Sequence, residues 1–438
     1  MKRGKRILIG VGCALLLIVS WGAAVTAKSN TEKQSDLIAQ AAAYTEDEIY
    51  ILAVPLLEEA AGYNTAQTLE AEAALKEVYR HLFNRSGYQG KYTALLEKQM
   101  SRDDAAPEIF LEAAEYYLDQ AKPEDALTVL RTGVDKTGSE DVRRMYEDNR
   151  YQYSMGTNYY QDVTLAYAGM IQVKENGLWG LATAAGKGRV PCEYDKVSTY
   201  SNGRALVLKD GVISAVDGSN NRVALLHGNA EDFGNLANKR ASLKIADSWV
   251  LTNEVLAIGS LEFEEIGMYS NGYAPAKQSG KWGVMDVSGS EWLIPAEYDD
   301  IVRDELGRCL AQDAVFVRRG QQVFLLVGGE QIAGPFDDAR PFSDGWAAVK
   351  KGEKWGFIDT DGSVKIDYQF DDALSFGQHL AAIRIGDDWG YVSRYGEIVI
   401  EPQFLAAKSF YDGSAPVQTR DGWRFITLTE YMEGAGLL

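Results

Sequence analysis

The chain has 438 residues and a formal net charge of −19, which is enough length for two domains in addition to a leader segment. The negative charge argues against nucleic-acid binding, which depends on Lys and Arg contacts to phosphate groups; it is typical of a soluble surface. Only Cys192 and Cys309 lie outside the leader, and two cysteines do not make a disulfide framework. Whether these two pair is left open.

The first residues of the chain predict a leader over residues 1–27. Met1–Arg6 is strongly basic, an apolar run extends from Ile7 to Val19, and small residues continue to Ala27. This pattern is typical of a signal peptide cleaved after Ala27. The alternative is an uncleaved membrane anchor, because the 21 residues from Ile7 to Ala27 approach the roughly 20 that a helical span needs. In both cases the rest of the chain is expected outside the cytoplasm.

Residues 28–155 predict an α-helical domain, because apolar residues recur there at helical spacing. In the best segment, one helix carries Phe110, Ala113 and Ala114, and a second begins near Pro123 and ends at Gly138. Small residues at Ala114 and Ala126 would let these helices pack closely. This pair resembles one tetratricopeptide repeat, and an earlier pair over about 68–83 and 88–100 is a poorer copy. An isolated helical hairpin is the alternative.

A Trp-Gly pair recurs through the rest of the chain. It is found at Trp179-Gly180, Trp282-Gly283, Trp355-Gly356 and Trp389-Gly390, and Trp423 stands in the same register before Arg424. The last three tryptophans are 34 residues apart. A fixed period of this size indicates a repeat architecture.

An Ala eight residues before the Trp reveals units in which the pair has been lost. Ala205, Ala241 and Ala314 predict anchors at Ile213, Trp249 and Gln322. The anchors then fall at 179, 213, 249, 282, 322, 355, 389 and 423, with spacings of 34, 36, 33, 40, 33, 34 and 34. The sequence therefore predicts eight units over residues 160–430.

Each unit predicts three short antiparallel strands separated by Gly- or Asp-containing turns such as Ser279-Gly280 and Ser288-Gly289. A single unit would leave a partly apolar face of its sheet exposed to solvent, so the units are expected to stack side by side. The predicted fold class is α+β in separate domains. Helical hairpins precede an array of eight three-stranded units, which is either a propeller-like ring or an open solenoid.

These residues resemble the WG-repeat family of bacterial KWG-type β repeats. The resemblance covers about residues 160–430, and the departures are Ile213-Ser214, Trp249-Val250, Gln322-Val323 and Trp423-Arg424. It implies an architecture and little chemistry.

The sequence contains no constellation typical of catalysis, and no metal or cofactor is predicted. The three histidines, His81, His227 and His379, lie in separate segments without ligand spacing. Asp359-Thr360-Asp361-Gly362 resembles the start of a calcium loop but lacks the later Glu, so it is interpreted as a turn. The acidic pairs at 299–300, 337–338 and 371–372 recur once per unit, which favours a structural turn or cap over catalytic carboxylates.

The anchor tryptophans are expected to be buried. Aromatic residues outside the pattern, whose positions vary between units, are the predicted ligand-binding surface: Trp346, Tyr273, Trp292 and Tyr411. The sequence thus predicts an extracytoplasmic binding or scaffolding protein for a protein or cell-envelope polysaccharide, with membrane contact only through the N-terminal segment. The alternatives are an envelope hydrolase with carboxylates in a cleft of the array, or a structural spacer.

Overall fold

A computed structural model describes residues 29–225, 229–287, 291–309 and 313–429. The predicted leader, Cys13, His227 and the turn at Ser288-Gly289 lie outside these residues. The contacts divide the chain into two compact units, with the boundary between Glu147 and Asp148. In the described part, no helix combines the length and apolar character needed to cross a bilayer.

The N-terminal unit is helical. The described helices are α1 (29–46), α2 (Tyr50–Ala60), α3 (Thr68–His81), α4 (Tyr88–Met100), α5 (Pro107–Asp119), α6 (Pro123–Thr137) and α7 (Glu140–Arg150). Pro occupies the first turn of α5 and of α6, where its missing N–H is not needed.

The predicted close packing of α5 and α6 is confirmed. Phe110, Ala114 and Ala126 are fully buried in one apolar cluster. A Cβ added to Gly133 of α6 would lie 2.8 Å from the Cβ of Phe110, so the helices approach at a glycine. Gly138 ends α6 in the left-handed conformation, with φ of 63°, as the sequence predicted.

The C-terminal unit contains eight four-stranded antiparallel sheets, here called blades. Each blade is numbered from its short first strand to its fourth strand. Blade 1 is β2 (Asp162–Val163), β3 (Met170–Glu175), β4 (Leu178–Thr183) and β5 (Gly188–Tyr194). Blade 2 is β6 (Lys196–Val197), β7 (Ala205–Lys209), β8 (Val212–Val216) and β9 (Arg222–Leu225). Blade 3 is β10 (Asp232–Phe233), β11 (Ser242–Ile245), β12 (Ser248–Thr252) and β13 (Ile258–Phe263). Blade 4 is β14 (Glu265–Ile266), β15 (Tyr273–Gln278), β16 (Lys281–Asp286) and β17 (Glu291–Tyr298).

The remaining blades follow the same order until the last. Blade 5 is β18 (Asp300–Ile301), β19 (Ala314–Arg319), β20 (Gln322–Val327) and β21 (Glu330–Phe336). Blade 6 is β22 (Asp338–Ala339), β23 (Trp346–Lys351), β24 (Lys354–Asp359) and β25 (Val364–Phe370). Blade 7 is β26 (Asp372–Ala373), β27 (Leu380–Ile385), β28 (Asp388–Ser393) and β29 (Ile398–Phe404). Blade 8 is β30 (Ala406–Ala407), β31 (Ser414–Thr419), β32 (Gly422–Leu428) and, as its fourth strand, β1 (Tyr153–Met155).

Strand β1 closes the array into a ring. It pairs with β32 in the register Tyr153 to Leu428, Ser154 to Thr427 and Met155 to Ile426. The strand that precedes blade 1 therefore completes blade 8, and of the two predicted alternatives the propeller-like ring is confirmed.

Two details of the sequence prediction are corrected. Each blade has four strands, because the acidic segment interpreted as a turn contains a two-residue strand such as Asp338–Ala339. The fifth anchor is also one residue later than predicted. Val323 lies opposite Arg318, as Trp355 lies opposite Lys350 in blade 6, so Val323 replaces the predicted Gln322.

The repeated Trp packs between blades. Trp355 is 3% exposed and belongs to a cluster with Phe370 of its own blade and with Phe376 and Ile383 of blade 7. Trp282 likewise joins blade 4 to Ile301 and Val317 of blade 5.

The Gly after the Trp allows close packing within its own blade. A Cβ at Gly390 would lie 2.4 Å from the carbonyl oxygen of Ile400 on the fourth strand, where the ladder has a β-bulge. Such a glycine allows the two backbones to approach closely. The Gly therefore admits the backbone of the fourth strand of the same blade.

Substitution of Gly390 by Ala should therefore destabilise the ring. The added methyl group would overlap a backbone oxygen, and overpacking of this kind costs about 1–3 kcal/mol. Gly188→Ala is the matched control, because the nearest atom to its new Cβ is the Tyr160 hydroxyl at 3.8 Å. Urea unfolding of both variants measures the difference, and equal midpoints would contradict the role given to Gly390.

Candidate functional site

The short first strands converge on the axis of the ring and leave a cavity there. The cavity has a volume of about 590 Å³ and is lined by residues of blades 1 to 5. Of the apolar lining residues, Trp179 and Ile266 are half-buried and offer open surface, whereas Val197, Phe233 and Met268 are almost fully buried behind it. A cavity of this size falls within the range of about 300–1,000 Å³ that is usual for small-molecule sites.

The sequence explains why the cavity lies on one side of the axis. The residue after each two-residue strand is small in blades 1 to 4 and larger in blades 5 to 8. These residues are, in order, Thr164, Ser198, Gly234, Gly267, Val302, Arg340, Leu374 and Lys408. The short side chains of Thr164 and Ser198 leave space at the cavity. Gly234 and Gly267 instead admit other atoms, because an added Cβ would lie 2.2 Å from the Ser242 hydroxyl and 2.6 Å from the Gly307 oxygen.

A loop of blade 5, residues 302–309, fills the axis at one end of this cavity; we call it the axial loop. The Met268 N–H donates to the carbonyl of Gly307 at 2.9 Å, and the Asn235 amide donates to the carbonyl of Leu306 at 3.0 Å. The Glu305 carboxylate forms an ion pair with Lys408 of blade 8. The axial loop thus connects blades 3, 4 and 8 to blade 5.

Polar side chains inside the ring hold the cavity wall in place. The Gln172 amide donates to the carbonyl of Val197 at 2.7 Å and to the side-chain oxygen of Asn235 at 3.0 Å. That oxygen also accepts the backbone N–H of Thr199 at 3.0 Å. Blades 1, 2 and 3 are therefore joined by one hydrogen-bonded network next to the axial loop.

The second acid of each recurring acidic pair begins a short first strand and lies opposite a residue of the second strand. Six of the eight first strands begin with an acid opposite a Lys or Arg of the second strand. Blades 2 and 8 differ, with Lys196 opposite Leu208 and Ala406 opposite Gln418. Pairs also connect neighbouring blades, as between Arg318 and Asp338 at 2.9 Å. Opposite charges across a strand pair stabilise it modestly.

The first acid of each pair caps a hairpin turn. The Asp337 carboxylate accepts the backbone N–H of Gly352 at 2.6 Å, and Asp371 accepts that of Gly386 at 2.8 Å. Lys354 also donates to Asp371 at 2.6 Å. These bonds give the recurrent acids the turn or cap role that the sequence indicated.

The capping acids predict a loss of stability in acid. The hydrogen bonds from Lys354 and from the Gly386 N–H lower the pKa of Asp371 below its ordinary value near 3.8. A lowered folded-state pKa contributes stability that is present above about pH 4 and is lost as the pH falls through the folded value. Asp371→Asn should therefore lower the melting temperature at pH 7, and the difference from wild type should shrink towards pH 2.

Thermal melts between pH 2 and pH 7 measure this dependence. Asp387→Asn, an exposed acid in the same hairpin turn, is the control. A difference from wild type that is the same at pH 2 and pH 7 would exclude the capping charge as its cause.

The four aromatic residues predicted as a ligand-binding surface are all half-buried and lie on three blades. Tyr273, Trp346 and Tyr411 flank the turns that join the first and second strands of blades 4, 6 and 8, so these three share one face of the ring. Trp292 instead lies on the fourth strand of blade 4, with its ring 6.2 Å from that of Phe263.

Each of the three on the shared face has a contact with a neighbouring residue. The ring of Trp346 is 5.1 Å from Phe376 and is covered by the Arg394 guanidinium at 4.9 Å. The Tyr411 hydroxyl accepts the Gly169 N–H at 3.1 Å, and Tyr273 packs beside the cluster that contains Trp282. The structure therefore brings three of the four to one face without merging them into one patch.

Other candidate groups have structural partners. Cys192 and Cys309 are free thiols, and burial raises the pKa of both. His379 lies in a left-handed turn beside Asp344, with its Nδ1 3.2 Å from that carboxylate. Lys365 pairs with Asp359 at 2.5 Å, in the segment that resembled a calcium loop. Within the described residues, no group of His, Cys, Asp and Glu has the arrangement of a metal site.

Sequence reasoning did not find the axial loop. The sequence feature that could have revealed this loop is the longest spacing between predicted anchors, the 40 residues between the fourth and the fifth. The extra residues lie between the first and second strands of blade 5, where Glu305, Leu306 and Gly307 reach across the axis.

Comparison with known proteins gives a family and a general fold likeness. The family model described as WG containing repeat matches residues 179–212, 260–282, 335–355, 355–387 and 389–423. No curated protein matches the chain. A eukaryotic initiation factor crystal structure is similar with a TM-score of 0.39 and 11% identity, covering 58% of this chain and 78% of that one.

The WD40 domain of SCAP from fission yeast is similar with a TM-score of 0.36 and 8% identity, covering 63% of this chain and 98% of that one. Likeness at this level carries no argument about function.

Proposed function

Because this chain belongs to the WG-repeat family through residues 179–423, we propose that it is an extracytoplasmic binding or scaffolding protein whose ring presents a surface to another protein or to cell-envelope polysaccharide. A propeller of WG β repeats is the architecture of a binding or scaffold repeat domain. The ligand class and the cellular location belong to the proposal.

One observation carries the proposal: the residues that pack the blades together recur in most of the eight blades, whereas the face with Tyr273, Trp346 and Tyr411 has no such repeat. The Trp, the Gly and the capping acids recur because each blade packs in the same way. Aromatic residues on the variable face retain some open surface, and Tyr and Trp supply much contact energy at interfaces. Surface variation over a constant scaffold is typical of recognition.

The N-terminal segment supports the location. Its basic start and apolar run are those of a signal peptide or anchor. The positive-inside rule would then leave both compact units outside the cytoplasm.

A capture experiment tests the proposal. The purified full chain is immobilised and exposed to envelope protein extract in one arm and to cell-wall polysaccharide in the other. Capture in one arm identifies the partner class. Tyr273→Ala and Tyr411→Ala are expected to reduce that capture at least tenfold, since interface aromatics often contribute about 2 kcal/mol or more.

Leu405→Ala is the matched control, because Leu405 is 53% exposed and lies at the start of blade 8, away from the turns that carry the aromatics. Its capture should equal that of wild type. Failure of capture in both arms, or equal losses in the control, would refute the proposed surface.

A further inference from the structure

We propose that the axial cavity is a binding site for an organic amine, whose ammonium group is received by Glu305 of the axial loop while its carbon chain lies along the half-buried side chains of Trp179 and Ile266. This site is separate from the variable face and does not depend on the function proposed for that face.

The axial loop positions Glu305 as the polar end of the cavity. Gly267 and Gly307 allow the loop to dock against the blade 4 backbone, since a Cβ at Gly267 would lie 2.6 Å from the Gly307 oxygen. Glu305, Leu306 and Gly307 all line the cavity. About a third of the Glu305 side-chain surface remains open.

The environment of Glu305 favours an additional positive charge. Burial among protein atoms raises the pKa of this carboxyl, and nearby Asp304 acts in the same direction, whereas the charge of Lys408 opposes the change. The ionised carboxylate is therefore incompletely compensated by Lys408. Lys408 and the backbone N–H of Leu165 already donate to this carboxylate. A carboxylate has about four lone-pair positions, so it can accept an ammonium group in addition to these two partners. A perturbed acid inside a cavity is a frequent mark of a binding site.

The cavity wall already holds an amine of the chain itself. The Lys196 ammonium lies 2.7 Å from the Asp232 carboxylate and 5.1 Å from the centre of the Phe233 ring. Carboxylate and aromatic face are the two groups that attract ammonium ions in proteins. The net charge of −19 adds a long-range attraction for cations.

Calorimetric titration of the full chain with spermidine, a small flexible amine, tests the site. In a second titration a tri-lysine peptide amide replaces spermidine. The comparison distinguishes binding of a lysine side chain of a peptide from binding of a free small amine. Tetraethylene glycol is the uncharged comparison of similar length. We expect one saturable site for an amine probe, weaker binding at high salt, and no binding of the glycol.

Two variants and one control decide the assignment. Glu305→Gln should weaken amine binding about tenfold or more, as expected for loss of a charged hydrogen-bond partner. Thr164→Arg gives blade 1 the side chain that blade 6 carries at the same position, and it should fill the cavity and abolish binding. Glu353→Gln, an exposed acid on a turn of blade 6, should bind as wild type.

Melting curves establish that each variant is folded before it is titrated. The proposal is overturned if no amine saturates a site, if the glycol binds as well, or if Thr164→Arg and Glu305→Gln both retain wild-type affinity. If Glu353→Gln weakened amine binding as much as Glu305→Gln, the binding would depend only on the overall surface charge. This result would also overturn the proposed site.

Discussion

Trp355→Ala is expected to destabilise the ring by about 3–5 kcal/mol, the usual cost of removing a fully buried large aromatic side chain. Trp355 is 3% exposed and contacts apolar residues of blades 6 and 7, so its loss opens a cavity at the junction of two blades. The Arg340 guanidinium, 4.7 Å from the ring centre, would also lose its aromatic partner.

Urea unfolding followed by tryptophan fluorescence measures this effect. Eight of the nine tryptophans lie beyond residue 147, and the other is Trp21 in the predicted leader, so the signal reports on the ring. Trp346→Ala is the control: Trp346 is half-buried and lies outside the repeated position, so the loss should be clearly smaller. If both substitutions had the same effect, the repeated Trp would not be the joint between blades.

Removal of β1 is the second change with a large expected effect. A chain that begins at residue 148 keeps β1, whereas one that begins at residue 157 lacks it and leaves blade 8 with three strands. The shorter chain also loses Tyr153, which packs on the cluster of Tyr391 and Phe404. We expect a loss of at least about 3 kcal/mol, which for a domain of this size lowers the melting temperature by roughly 5 °C.

The two truncated chains differ by nine residues at one end, so their comparison isolates the closing strand. Cooperative melting is expected for the chain from 148, with an earlier and broader transition for the chain from 157. Identical melting curves would mean that β1 adds nothing to the ring.

Much of the ring could be predicted from the sequence, because its packing is repeated. Trp355 and Gly356 recur at one spacing, and the Ala that stands eight residues before every anchor Trp except Trp179 lies in the strand opposite. This periodicity gave the number of units without any knowledge of the fold. The prediction that the anchor tryptophans are buried is confirmed for Trp282, Trp355 and Trp423, whereas the anchors at 179, 249 and 389 are half-buried.

The missed elements lack such a signal. A strand of two residues such as Asp338–Ala339 is too short to show the alternation that identifies strands, and its acid resembles a turn residue. In blade 5 the anchor was misplaced by one residue, because Val323 replaces the Trp and Ala314 stands one position before the equivalent of Ala347.

The axial site could not be derived because its contacts are distant in sequence. Glu305 meets Lys408 over 103 residues, and Asn235 meets Leu306 over 71 residues. Only the unusual length of the fifth unit indicated that this region differs. Contacts across a ring have no local periodicity, so closure must be known before they can be recognised.

Closure of the eight blades by β1 is the central claim, and a designed disulfide tests it most directly. Ser154 and Thr427 are opposite one another in the β1–β32 ladder, and opposite Cα atoms in antiparallel strands lie about 4.5–5.5 Å apart, within disulfide range. Ser154→Cys with Thr427→Cys, in a Cys13→Ser background, should therefore cross-link under mild oxidation. The native thiols should react slowly, because burial raises the pKa of Cys192 and of Cys309.

The control pairs Ser154→Cys with Leu428→Cys, whose side chain points to the other face of the strand. Mass spectrometry after oxidation should find the disulfide in the first pair and little in the control. Absence of the disulfide in the first pair, or equal yields in the two, would contradict a closed ring.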